Sequence, residues 1–203
     1  MTKKNSDISM WRIGVAHGTF LRISLKHYNK YCLNIELLKT ASDDSLVGDT
    51  GLTQYDLIEE ELYENFTCII TFLALFMESY IYDYGARQLG DRYVLSHLDQ
   101  LDLLSKWVII PKIITGKEIN KSQHCFEYFK RLIQLRNKIV HWKSSEGSHS
   151  KSREFATEKF YLKLNPEKLF KSIYKIFEQL EEYDKKDYHL FHVTDIKEAG
   201  IRG

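Results

Sequence analysis

An arginine, an asparagine and a histidine near residue 140 have types and a spacing that suit chemistry. Arg136, Asn137 and His141 lie in the segment RLIQLRNKIVHWK. Asn137 and His141 are four residues apart, so on a helix they share a face and lie within side-chain reach. An imidazole exchanges a proton near neutral pH, and a guanidinium is a permanent cation whose planar fork matches phosphate oxygens. Residues of these types can transfer protons and bind an anion.

Arg136 is predicted to need an anionic partner. It lies seven residues after Phe129 and four before Val140, which places it beside the apolar side of a helix rather than in open solvent. An isolated charge in such a position is very costly. Glu78, which interrupts the apolar segment FLALFMESYIYDY, is the candidate partner within the chain, and an anionic ligand is the other.

The pattern Arg136-Asn137-x-x-x-His141, late in a helical chain, resembles the R-x4-6-H motif of the HEPN superfamily. Three further features are HEPN-like: an apolar helix with an embedded acid over residues 72–84, the segment KWVIIPK, and a final helix NPEKLFKSIYKIF after a polar loop. The resemblance covers roughly residues 57–183.

The resemblance implies an activity. HEPN proteins are typically metal-independent ribonucleases without a cofactor, and they usually act as homodimers whose paired motifs form one composite cleft. The chain is therefore expected to be an endoribonuclease that cleaves RNA by attack of the 2′-hydroxyl. The resemblance also implies a toxin or antiphage defence effector, restrained by a cognate antitoxin or another regulatory protein, such as a minimal nucleotidyltransferase.

The resemblance also implies roles for individual residues. Arg136 would bind phosphate and balance the charge of the transition state, His141 would transfer protons, and Asn137 would orient the histidine or bind phosphate. Glu78 would hold Arg136 in place without touching the substrate. The basic rim that would bind RNA consists of Lys138 and Lys143.

A second function remains open from the sequence. The chain is alternatively a catalytically inactive HEPN-like module that binds a protein, a nucleotide or RNA. Arg136 would then form only an internal ion pair with Glu78, and His141 would only cap the helix, where an imidazolium interacts favourably with the dipole. The intact Arg-Asn-His set favours the enzyme.

Composition and charge exclude several classes of protein. The net charge of the 203 residues is +1, but residues 103–153 hold eleven basic and three acidic residues, so this stretch carries +8 and the remainder −7. Such asymmetry is typical of one polyanion-binding face. The three cysteines, Cys32, Cys68 and Cys125, form no C-x-x-C pair and are expected in the core. No metal site, no signal peptide and no membrane span are expected, which indicates a cytoplasmic protein.

Hydrophobic periodicity predicts an all-α bundle of about five helices, HEPN-like in fold. The helices are expected at residues 19–38, 56–88, 96–110, 123–142 and 165–183, with Pro111 ending the third. Residues 1–55 are interpreted as an N-terminal helical extension with an acidic loop, 56–184 as the HEPN-like bundle and 185–203 as a C-terminal tail. All three belong to one compact domain in this interpretation.

Overall fold

The protein folds into helices, as the periodicity predicts. The computed structural model describes residues 16–41, 47–48, 51–141 and 164–185. Within these ranges there are six helices and no β-strand, which confirms the all-α class. The helices are α1 (His17–Leu38), α2 (Gln54–Leu89), α3 (Asp91–His97), α4 (Leu103–Thr115), α5 (His124–Val140) and α6 (Pro166–Tyr183).

The central helix is α2, 36 residues long. It begins with a capping box in which the Thr53 hydroxyl accepts from the Asp56 backbone N–H at 3.1 Å and Asp56 accepts from the Thr53 N–H at 3.0 Å. Its second half is buried almost all round, as its apolar composition predicts. By length and composition, α2 is also long and apolar enough to cross a membrane. In its apolar 18-residue stretch, however, 56% is buried inside the protein, and the buried core helix of a soluble protein has the same length and composition.

Helix α1 packs antiparallel along α2 through apolar and polar contacts. Leu21 and Leu25 are buried in the common core. The Ser24 hydroxyl donates to the carbonyl oxygen of Ile69 at 3.1 Å, and Nδ1 of His27 lies 2.7 Å from Oδ1 of Asn65. The first described helix is therefore part of the same core as α2.

The predicted helix over residues 96–110 is wrong in its bounds. The chain forms the short helix α3, turns, and starts α4 after Asp102, whose carboxylate accepts from the Ser105 backbone N–H at 3.0 Å. Pro111 lies inside α4 instead of ending it, and α4 ends at Gly116, whose φ of 77° is readily adopted only by glycine. Burial of Ile110 and Pro111 against the core outweighs the lost backbone hydrogen bond.

Trp107 of α4 lies at the centre of the bundle, where α2, α5 and α6 meet. Its indole N–H donates to the carbonyl oxygen of Met77 at 3.0 Å. The ring contacts Tyr80, Phe129 and Phe177, with centroids 5.2 to 6.0 Å apart. This cluster holds α5 against α2, and so it sets the position of the end of α5.

The three cysteines do not share one environment. Cys125 is buried and Cys68 is half-buried, but Cys32 is exposed on α1, so its expected place in the core is wrong. The side of α1 that packs against the core is formed instead by the neighbouring residues Tyr28, Tyr31 and Ile35, which follow the helical spacing.

Candidate functional site

The structure places Arg136 against Glu78. Nη2 of Arg136 lies 3.2 Å from Oε2 of Glu78, across the contact between α5 and α2. The arginine side chain is 21% exposed and the glutamate 43%, so this pair lies at the edge of the bundle rather than in its centre. The internal anion that the sequence predicted for Arg136 is therefore present.

The guanidinium of Arg136 keeps unused hydrogen-bonding capacity. It has five N–H donors, and the contact with Glu78 uses Nη2 alone. Its Nε is buried and donates to no acceptor among the described residues. Because the pair is not bidentate, the arginine retains donors that a phosphate could occupy at the exposed end of the group.

His141 lies at the C-terminal end of α5, and its side chain is exposed. Its backbone N–H donates to the carbonyl oxygen of Asn137 at 3.0 Å and so closes the last turn of the helix. Asn137 is exposed as well. No side-chain hydrogen bond joins either residue to another described residue, so both polar groups face solvent.

Arg136 and His141 point to different sides of α5. Five residues correspond to a rotation of about 140° around a helix axis, whereas the four residues from Asn137 to His141 correspond to about 40°. Arg136 accordingly faces α2, and Asn137 and His141 face outward. One chain thus brings Arg136 to Glu78 but does not bring Arg136 and His141 into contact.

Of the two predicted rim lysines, Lys138 is exposed on α5 next to Asn137, and Lys143 lies outside the described residues. No function was predicted from the sequence for a cluster nearer the N-terminal end of the same helix. The guanidinium carbon of Arg131 lies 5.6 Å from the centroid of the Tyr128 ring, and the ring of His124 lies 5.0 Å from Tyr128 in an edge-on arrangement. The spacing 124, 128, 131 is the sequence signal for this cluster.

Thiol and metal chemistry receive little support from the described residues. Burial raises the pKa of the Cys125 thiol and also that of Cys68, which disfavours the thiolate needed by a nucleophilic cysteine. Among the described side chains, no three of His, Cys, Asp or Glu are grouped so that they could hold a metal ion.

No family model, curated protein or solved structure matches this chain. The resemblance to the HEPN superfamily therefore stays a prediction based on the sequence motif. The interpretation of the site depends on the residues and contacts described above.

Proposed function

We propose that the protein is a metal-independent endoribonuclease of HEPN type, with a cleft composed of two copies of the chain. The observation that carries the proposal is the arrangement at the end of α5: His141 is open to solvent, and Arg136 is anchored by Glu78 with donors to spare. The arrangement offers a proton-transfer group and a phosphate-binding cation on one short segment.

In the proposed reaction the 2′-hydroxyl of a ribose attacks the adjacent phosphorus. His141 of one copy accepts the 2′ proton while the 2′-oxygen–phosphorus bond forms. The bond from phosphorus to the 5′-oxygen breaks, and the protonated His141 of the second copy gives its proton to that leaving oxygen. Arg136 binds the non-bridging oxygens, whose negative charge grows in the transition state. The products are a 2′,3′-cyclic phosphate and a 5′-hydroxyl.

Two copies are needed because one chain supplies one histidine in the motif and directs it away from Arg136. A base and an acid act on opposite sides of the reacting phosphorus, and each chain offers a single exposed imidazole beside Asn137. A two-fold contact at the ends of the two α5 helices would place both histidines in one groove. Asn137 would then orient His141 or bind a phosphate oxygen.

The test is cleavage of a mixed RNA pool in the presence of EDTA by wild type, Arg136→Ala and His141→Ala. We expect wild type to cleave the RNA and to leave 2′,3′-cyclic phosphate ends. Each substitution is expected to lower the cleavage rate at least about 100-fold, which is within the range of general acid–base catalysis and charge stabilisation. Cleavage that disappears with EDTA, or equal cleavage by all three proteins, would contradict the proposal.

The structure offers matched controls for both substitutions. His97 is an exposed histidine at the end of α3, so His97→Ala removes the same group from another helix end. Arg87 forms an ion pair with Asp83 at 3.0 Å that is more buried than the pair of Arg136 and Glu78, so the conservative change Arg87→Lys perturbs a paired arginine outside the site. Both controls are expected to cleave RNA at the wild-type rate.

One observation favours the second function, a module that binds without cleavage. The ion pair with Glu78 already supplies Arg136 with an anion, so the arginine needs no phosphate for its burial. This function predicts that wild type binds its partner with no change in RNA length. It also predicts that His141→Ala leaves binding unaffected.

The biological setting belongs to the same proposal. We place the protein in the cytoplasm, as a toxin or antiphage effector that a cognate antitoxin or regulatory protein restrains. Expression of wild type is expected to arrest growth, and His141→Ala is expected to relieve the arrest. Arrest that persists with His141→Ala would remove the link between toxicity and RNA cleavage.

A further inference from the structure

The exposed side of α5 carries more positive charge than the motif alone accounts for. Its exposed residues recur at helical spacing, and the basic ones are Lys130, Arg131 and Lys138. Glu127 is the one acidic residue exposed on this helix. We call this side of the helix, from His124 to His141, the α5 outer face.

In the part of the chain that the structure describes, two of these cations have no carboxylate partner. Several basic residues elsewhere form ion pairs, such as Lys106 with Asp99 at 3.1 Å and Lys171 with Glu167 at 3.0 Å. Lys130 and Arg131 form no ion pair with any described residue, although Glu127 lies one turn away. Their charges therefore remain available to a polyanion.

A cluster of one aromatic ring, one imidazole and one guanidinium lies on the same face. Tyr128 is packed against the hydrophobic core on one side, so its ring is held in place. Arg131 lies over that ring at 5.6 Å, and His124 contacts it edge-on at 5.0 Å. A guanidinium that lies over an aromatic ring and is exposed to solvent can meet an unpaired base, and bases stack on aromatic and guanidinium planes in single-stranded RNA complexes.

We propose that the α5 outer face is a binding track for single-stranded RNA that leads away from the cleavage site. Bases would stack at Tyr128 and Arg131, and Lys130 and Lys138 would bind the phosphates between this stack and His141. Tyr128 and His141 are 13 residues apart, which on a helix is a distance of about 20 Å. The identity of the polymer as RNA rests on the proposed function. A duplex does not fit, because its bases are paired and not free to stack.

The test is direct binding of a fluorescent single-stranded RNA to the full chain carrying His141→Ala, so that cleavage does not disturb the measurement. In this background Arg131→Gln is expected to weaken binding about tenfold, within the range for loss of one stacked base. In the same background, Lys130→Gln should make the slope of log K against log salt shallower by about 0.7, the contribution of one phosphate contact on a single strand. Tyr128→Leu, which keeps an apolar side chain against the core, should weaken binding at least about fivefold.

Helix α3 supplies matched controls. Arg92 and Tyr93 are exposed there, and the ring centroids of Tyr93 and His97 are 5.0 Å apart, but no guanidinium of a described residue lies over the Tyr93 ring. Arg92→Gln and Tyr93→Leu therefore remove the same groups from another surface and should leave the dissociation constant unchanged. Duplex RNA of the same sequence should compete poorly.

The outcomes separate this inference from the proposed function. Binding that depends on Arg131 and Tyr128, with no cleavage by wild type, supports the track and overturns the nuclease. Cleavage by wild type with unchanged binding in Arg131→Gln and Tyr128→Leu overturns the track alone. Equal losses in the α3 controls, equal binding of duplex RNA, or no binding of single-stranded RNA by the parent protein would each overturn the track.

Discussion

The contact between Arg136 and Glu78 defines what the arginine can do. At 3.2 Å, with both side chains partly exposed, the pair neutralises a charge that lies beside the apolar side of α5. It leaves the guanidinium oriented and incompletely hydrogen-bonded. In the proposed enzyme, Glu78 would act as a positioning residue and leave Arg136 with donors for a phosphate.

The strength of this pair is measurable by a double-mutant cycle with Arg136→Ala and Glu78→Ala. We expect a coupling free energy of about 0.5–1 kcal/mol in urea unfolding, because both groups are partly solvated. The exposed pair of Lys39 and Glu36 is the control and should couple more weakly. A coupling of about 3 kcal/mol or more would show instead that the pair is a structural element of the core.

At the scale of elements, capping side chains mark the N-terminal ends of α2, α4 and α6. Asp102 accepts from the backbone N–H of Ser105 at 3.0 Å and is hydrogen-bonded to its hydroxyl. These hydrogen bonds, the side-chain one first, lower the pKa of Asp102 below its ordinary value. Asp102 therefore determines where α4 begins, and α4 in turn carries Trp107 into the core.

The cap makes stability depend on pH in a predictable direction. Because the pKa of Asp102 is lower in the folded state, its ionised form stabilises the protein above the ordinary carboxyl pKa of about 3.9, and this contribution is lost as pH falls below it. Asp102→Ala should lower the free energy of unfolding at pH 7 by about 0.5–2 kcal/mol. Asp102→Asn keeps a cap that does not titrate. The difference in the free energy of unfolding between this variant and wild type, measured by urea unfolding, should therefore vanish as the pH is lowered from 5 to below the carboxyl pKa. A difference that persists at low pH would contradict this account.

Gly85 lets α2 approach its neighbours closely. A Cβ at this position would lie 3.2 Å from Cγ2 of Ile110 and 3.4 Å from Cγ2 of Val94, on α4 and α3. We expect Gly85→Leu to lower the free energy of unfolding by about 1–3 kcal/mol through overpacking. In Gly85→Ala the better helix propensity, about 1 kcal/mol, opposes the tight contact and should leave a smaller change. Thermal unfolding of both variants tests this, and wild-type stability of Gly85→Leu would refute it.

At the scale of the whole molecule, the proposed cleft makes activity depend on association of two chains. Specific activity should fall as the protein is diluted below the dissociation constant of the dimer, because a single chain lacks the second histidine. Sedimentation velocity and initial rates over the same concentration range would test this. A monomer with full specific activity would contradict the composite cleft and leave the residue assignments to be tested separately.

Sequence and structure agree where local pattern decides the outcome. The all-α class, the long central α2 and the start of α6 at Asn165 follow from periodicity and capping, and Asn165 Oδ1 accepts from the N–H of Glu167 at 2.8 Å. Glu78 was predicted as the partner of Arg136 because each is a charged residue beside apolar side chains, where an unpaired charge is costly. Two features of this region were not predicted: the break between α3 and α4, where Asp102 caps the new helix, and the position of Pro111 inside α4, which depends on burial to compensate for the lost hydrogen bond.

The sequence by itself determined that the protein is helical, which residues could do chemistry, and that its positive charge concentrates between residues 103 and 153. Only the tertiary structure decided which way those residues face. Trp107 packs against α2, α5 and α6 in the core, and the buried side of α5 faces that core. In this orientation of α5, Arg136 contacts Glu78 and His141 lies in solvent. Spacing along a helix defines relative directions, but contacts between distant segments define which direction is inward.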